Sequence, residues 1–187
     1  IAERAAVGKK SEALLAVEIE EKPGSFKRFC KAMGKRSITE FNYRYHNEGR
    51  ARVFVGVELH SKSNAQQEVI NEIKELGYSV VDLSQNEMAK IHIRHMVGGR
   101  ASIENERLFR FEFPERPGAL LEFLDAIGTE WNITLFHYRN HGSDFGRILT
   151  GIQAPKEQTE RLEMHLSKVG YRYWEESNNP AYEMFLA

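Results

Sequence analysis

The sequence predicts an α+β fold built from two tandem βαββαβ modules. Three observations carry this. First, the second half repeats the first: Glu21-Lys22-Pro23-Gly24 returns as Glu115-Arg116-Pro117-Gly118, Phe41-Asn42-Tyr43-Arg44 as Phe136-His137-Tyr138-Arg139, and Leu76-Gly77-Tyr78 as Val169-Gly170-Tyr171. The separations, 93 to 95 residues, are those of a small domain and far exceed the roughly 20–50 residues of solenoid repeats. Second, the hydrophobic period switches between two and 3.6 in the same order in both copies. Third, the backbone breakers fall at matching positions.

The first strand of each copy alternates. Leu15, Val17 and Ile19 share one face, and Phe109, Phe111 and Phe113 take the same places. Arg110 and Glu112 point the other way, so the sheet has one buried and one polar face. Pro-Gly then ends the strand, and Ser25 is placed to cap the helix that follows. That helix carries Phe26, Phe29, Cys30 and Met33 at helical spacing, matched by Leu120, Phe123, Leu124 and Ile127. Gly34 and Gly128 stop the two helices.

A second strand is expected over Ile38 to Tyr45 and over Ile133 to Asn140. Polar turns lead into third strands holding Val53, Val55 and Val57 against Ile148, Thr150 and Ile152, with Gly56 matching Gly151. Each pair reads as an antiparallel hairpin. Second helices place Val69, Ile73 and Leu76 against Leu162, Leu166 and Val169, and a fourth strand follows Gly77 and Gly170. The plan is the ferredoxin-like split βαβ, with both helices of a module on one face. Beyond the fourth strands, Asn86 to Met96 and Asn179 to Leu186 are expected to hold a short helical turn and one more strand each. The organisation is then a first module over residues 1–96, a linker over 97–106 and a second module over 107–187.

Composition narrows the function. With 41% hydrophobic and 28% charged residues the chain is an ordinary globular protein. A net charge of −1 gives no electrostatic reason for nucleic acid or an anionic membrane, and no apolar run approaches the ~18 residues of a membrane span. One cysteine, Cys30, excludes an internal disulfide and fits a reducing compartment. Ile1 to Ser11 lack the apolar core of a signal peptide, and a start at Ile implies an upstream segment.

No catalytic constellation emerges. Of the histidines, His92 and His95 would face opposite sides of a strand, His137 and His141 straddle a strand end, and none can join a cysteine pair on zinc. Cys30 lies on an apolar helix stripe where its counterpart is Leu124, the place of a core filler. There is no nucleophile elbow, Walker loop or G-x-G-x-x-G, and no lysine in a setting that suggests a Schiff base. An RNA-binding βαββαβ module remains an alternative. It finds only a partial echo of its third-strand motif in Gly49-Arg50-Ala51-Arg52-Val53-Phe54-Val55. A structural dimerisation module is the other.

The duplicated Pro-Gly turn is the best ligand candidate. Glycine permits close approach, and a helix N-terminus offers unpaired N–H groups and partial positive charge to a carboxylate. Asn42 and Tyr43, or His137 and Tyr138, would supply polar groups and an apolar wall. The plain alternative is a turn that merely ends a strand and starts a helix.

Several stretches resemble the C-terminal regulatory region of biosynthetic threonine deaminase (threonine ammonia-lyase). They include Glu21 to Phe26, Thr39 to Tyr45, Tyr78 to Leu83, Met96 to Arg100, Phe111 to Leu120, Asn132 to Gly142 and Asn178 to Ala181. Together they cover essentially the whole chain. The resemblance implies two ACT-like subdomains whose strands form one antiparallel sheet with helices on one side. It implies isoleucine and valine as opposing effectors, and a catalytic domain, absent here, that binds pyridoxal phosphate and converts threonine to 2-oxobutanoate and ammonia. No cofactor is expected in this chain itself. The enzyme it implies is a tetramer of the bacterial cytoplasm or plastid stroma. Carried onto this sequence, the effector residues would be Gly24, Ser25, Phe26, Asn42 and Tyr43, with Gly118, Ala119, Leu120, His137 and Tyr138. The copies differ at Ser25/Ala119, Asn42/His137 and Glu40/Leu135, so two sites would bind unequally.

Overall fold

A computed structural model describes residues 11–34, 36–46, 49–59, 64–95, 98–116, 118–140 and 145–187. Met96-Val97, Pro117, His141 and Gly142, which the sequence reading used, lie outside the described residues, as do residues 1–10.

The first module runs β1 (Ser11–Glu20), α1 (Ser25–Met33), β2 (Ile38–Arg44), β3 (Arg50–Leu59), α2 (Ala65–Glu75) and β4 (Ser79–Asp82), then a short α3 (Glu87–Ile91). The second runs β5 (Glu106–Pro114), α4 (Ala119–Ile127), β6 (Asn132–Arg139), β7 (Phe145–Gln153), α5 (Thr159–Val169), β8 (Arg172–Glu175) and a short α6 (Pro180–Phe185). Both copies are therefore the predicted βαββαβ.

The eight strands form one antiparallel sheet in the order β4-β1-β3-β2-β6-β7-β5-β8. The modules join at β2 and β6, where Asn42 lies opposite His137, Phe41 opposite Tyr138 and Tyr43 opposite Phe136. The second strand of each module thus pairs with its own counterpart, and the two modules are related by a pseudo-twofold axis between β2 and β6. Because side chains alternate across a strand, this register sends Phe41, Tyr43, Phe136 and Tyr138 to one face. There they meet α1, α2, α4 and α5 in one continuous core that includes Leu15, Phe29, Phe111 and Phe123. Lys27 and Lys31 on α1 reach Asp125 on α4 at 3.1 and 3.6 Å across the same seam.

Three local expectations change. Ser25 is not a cap: Gly24, in the left-handed region at φ 82°, precedes α1, and Ser25 Oγ instead accepts from Arg28 Nη2 at 2.7 Å. No additional strand follows β4 or β8 among the described residues. The expected helical turns do form, with Asn86 and Asn179 capping α3 and α6 by accepting from Ala89 and Ala181 N–H, but helix or 3-10 turn takes the place of the strand expected after them. His92 and His95 accordingly lie on α3's end and the 3-10 turn Ile93–His95.

These short helices lie on the sheet's other face. Ala89 packs with Leu14 and Phe54 there. At the seam, Arg44 crosses from β2 to Glu106 of the second module, Nη1 to Oε1 at 2.6 Å and Nη2 to Oε2 at 3.1 Å, and both side chains are 1% exposed. Arg44 Nη2 also donates to the carbonyls of Leu186 (2.7 Å) and Ala101 (3.1 Å), fastening α6 and the segment before β5 to the seam. Thr134 and Tyr182 complete the acceptor side by donating to Glu106. The repeat appears here too, since Thr39 donates to Glu12 as Thr134 does to Glu106. Gly56 and Gly151 lie over these pairs: a Cβ on Gly151 would stand 2.7 Å from both Glu106 Oε1 and Thr134 Oγ1. A repeated glycine inside a strand therefore marks a close approach.

Burial and the bond to Glu106 push the Tyr182 hydroxyl up to about 12. The folded state holds this proton more tightly than the unfolded chain, whose tyrosines ionise near ~10. The contribution is therefore complete below about pH 10 and is lost as pH rises through about 12. An alkaline titration followed by tyrosinate absorbance is expected to show a component near pH 12 that is lost in Tyr182→Phe, while the still later ionisation of Tyr43 and Tyr138 remains.

Candidate functional site

The seam creates two related pockets on the helix side. One joins the strand–helix turn of the second module (Glu115, Arg116, Gly118, Leu120, Leu121) to the end of α1 and the start of β2, with Met33, Ile38 and Phe41 as apolar wall. Its volume is about 170 Å³. Taking ~30 Å³ per liquid water, that space matches five or six waters, the scale of a small metabolite rather than a nucleotide. The other joins the first module's turn (Lys22, Gly24, Phe26) to Gly128, Trp131 and Ile133, and keeps only about 10 Å³.

Two substitutions between the copies explain the difference. Phe26 stands where the second module has Leu120, and its ring fills the first pocket, 4.7 Å from Phe136 and stacked on Tyr43 at 5.4 Å. Trp131, 6% exposed and donating to Gln158 Oε1 at 2.8 Å, occupies a connection where the first module has Arg36 and Ser37. The backbone agrees: a Cβ on Gly24 would meet Thr129 Cγ2 at 3.2 Å, whereas one on Gly118 would meet nothing within 4 Å.

The open pocket has the polar groups that an amino acid needs. Gly118, at φ 85°, leads into α4, and no side chain caps that helix. Ala119 N–H returns to Arg116 O and Glu122 N–H to Gly118 O, and among the described residues the Leu120 and Leu121 N–H groups have no acceptor, so this helix start suits a carboxylate. Across the cavity, Tyr138 Oη donates to Glu115 Oε2 at 2.8 Å. Burial raises the Glu115 carboxyl even though the Tyr138 hydrogen bond lowers it. Tyr138 is pushed well above the ordinary phenol range by burial and then by Glu115. A carboxylate so placed, with Asn140 and Ser37 on the same rim, suits an ammonium group. In the filled pocket, Tyr43 is raised by burial and then by Glu21, whose Oε1 accepts from His46 N–H while its buried Oε2 has no hydrogen-bond partner among the described residues.

The sequence model of the C-terminal regulatory domain of threonine dehydratase matches this chain twice, over residues 3–93 and 97–186. The chain belongs to that family. Its relatives among threonine dehydratases agree. The biosynthetic L-threonine dehydratase of Escherichia coli is 50% identical over 188 residues, covering 100% of this chain and 36% of that protein. The mitochondrial threonine dehydratase of Saccharomyces cerevisiae is 40% identical over 195 residues, covering 100% and 34%. The chloroplastic threonine dehydratase 1 of Solanum lycopersicum is 41% identical over 187 residues, covering 100% and 31%. The chain thus spans about a third of the length of these dehydratases. Within the threonine dehydratase regulatory family, the repeat is the match of one domain model to each half.

Of the residues named from sequence, the structure brings Gly118, Leu120 and Tyr138 to the open pocket and Gly24, Phe26 and Tyr43 to the filled one. Ala119 is buried in the core, and Ser25 turns away to Arg28. Asn42 and His137 lie on the opposite face of the sheet, where Asn42 is buried beside Glu40 and Arg94. The strand period explains this, since each adjoins the tyrosine that faces the helices. Glu115, Asn140, Ile38 and Met33 were missed. The Glu21/Glu115 match was the signal available for the first of them.

Cys30 also walls the open pocket, with its thiol raised by burial, as suits a filler. Among the described residues no three acidic, histidine or cysteine side chains converge as for a metal. Lys22 and Lys27 beside the filled pocket are tied to Glu20 at 2.5 Å and to Asp125 at 3.1 Å. These residues do not fit a pyridoxal phosphate site. His165 holds the carbonyls of Ala126 and Ile127 at the end of α4.

Proposed function

We propose that this chain is the effector-sensing part of a biosynthetic threonine dehydratase, taking isoleucine as feedback inhibitor and valine as the opposing activator at the open seam pocket. The observation that carries the reading is the pairing of an uncapped helix N-terminus with the half-buried Glu115 across an apolar cavity of amino-acid size. The ligand carboxylate takes the Leu120 and Leu121 N–H groups, the ammonium faces Glu115, and a branched side chain lies against Met33, Ile38 and Phe41. Threonine conversion to 2-oxobutanoate and ammonia, with pyridoxal phosphate, then belongs to a catalytic portion outside these residues. The parent is read as a tetramer of the bacterial cytoplasm or plastid stroma.

The pocket's walls come from both modules, so a ligand that prefers one seam geometry biases how they pack. Coupling of about 1–3 kcal/mol requires only such a difference in affinity between two states. Calorimetric titration with isoleucine, valine, leucine and threonine is the test. Saturation at one isoleucine per chain is expected, because the Phe26 pocket is closed. If no branched-chain amino acid binds, the sensor reading fails.

A further inference from the structure

The opposite face of the first module carries a larger cleft, of about 610 Å³, between the sheet and the segment Gly98-Gly99. Ala16, Phe54, Leu83 and Ile93 give it an apolar floor and wall, while Arg44, Arg50, Arg52 and His46 surround it with Glu18 as the lining acid. The charges are not all neutralised. Arg50 pairs with Glu18 at 2.7 Å and Arg44 with Glu106, but Arg52 has no ion pair or hydrogen bond among the described residues. The buried Arg44 Nε likewise has no partner. A buried donor without an acceptor is costly, which favours any anion that reaches it. The same face of the second module is occupied differently. There Arg110 and Arg172 sit against Trp174, at 4.2 and 5.1 Å, and Glu112 approaches both Arg147 and Arg172.

We infer that this cleft is a second ligand site, distinct from the seam pocket, that takes a small organic carboxylate with an apolar tail. The carboxylate sits on Arg52 beside Arg44, and the tail covers Phe54 and Ile93. Arginine suits the role because its planar fork matches a carboxylate and stays charged. Apolar surface in the cleft makes a tail contribute where a bare anion gains nothing. Sharing Arg44 would let an occupant act on the same residue that fastens α6 to the seam.

The test is calorimetry of the full chain with hexanoate and, separately, inorganic phosphate. Hexanoate is expected to bind and phosphate to bind at least about ten-fold more weakly. Arg52→Gln is expected to weaken hexanoate by about ten-fold or more, the scale of one charge-assisted hydrogen bond. Arg52 is solvent-exposed, so this variant keeps the core intact. Leu120→Phe, in the seam pocket, is expected to leave hexanoate binding unchanged. Absence of hexanoate binding, indifference to Arg52→Gln, equal binding of phosphate, or loss with Leu120→Phe would each overturn the assignment.

Discussion

Arg44→Met is expected to destabilise the fold by about 3–5 kcal/mol, the usual cost of removing one partner from a buried ion pair. The pair is closed to solvent, with both side chains 1% exposed, so water does not replace the guanidinium. Glu106 would keep only Thr134 and Tyr182, while the carbonyls of Leu186 and Ala101 would lose their common donor. Urea unfolding measures the loss. A companion variant separates charge from packing: Arg44→Met with Glu106→Leu removes both charges and is expected to recover much of the stability. Should Arg44→Met alone unfold at the parent's midpoint, the seam pair is not holding the modules together.

Leu120→Phe is expected to weaken isoleucine at least about ten-fold while leaving the fold in place. The molecule already contains this experiment, because Phe26 at the equivalent position helps reduce its pocket to about 10 Å³. Overpacking costs of about 1–3 kcal/mol fall on the bound state when the site is otherwise open, and 1.4 kcal/mol is ten-fold in affinity. Since Leu120 borders a cavity, its larger replacement has somewhere to go in the free protein. Calorimetry gives the affinity, and an unchanged urea midpoint excludes misfolding. The reciprocal Phe26→Leu with Trp131→Ser is expected to raise the stoichiometry above one. Undiminished binding in Leu120→Phe would move the effector away from the seam.

The elements were legible because their periods are local. Leu15, Val17 and Ile19 announce a strand and Phe26, Phe29, Cys30 and Met33 a helix without reference to anything distant. The caps show the limit of that reading. Ser25 has cap chemistry, yet the left-handed Gly24 already begins the helix. Asn86 and Asn179 do start the helical turns expected there, α3 and α6, but no strand follows either among the described residues, because these helices bury Leu14 and Phe54 or close over Arg44. The tyrosines reached the pockets and their neighbours Asn42 and His137 did not, because one step along a strand changes the face.

By itself the sequence determined the two modules, their element order, their matched cores and the family, since repeats, periods and long motifs are written along the chain. Only the tertiary structure decided that β2 and β6 join the modules, that Arg44 and Glu106 meet, and that one pocket is open while its twin is closed. Those outcomes depend on contacts between residues far apart in the chain. Whether Phe26 fills a space or Leu120 leaves one is a property of the walls that the other module supplies.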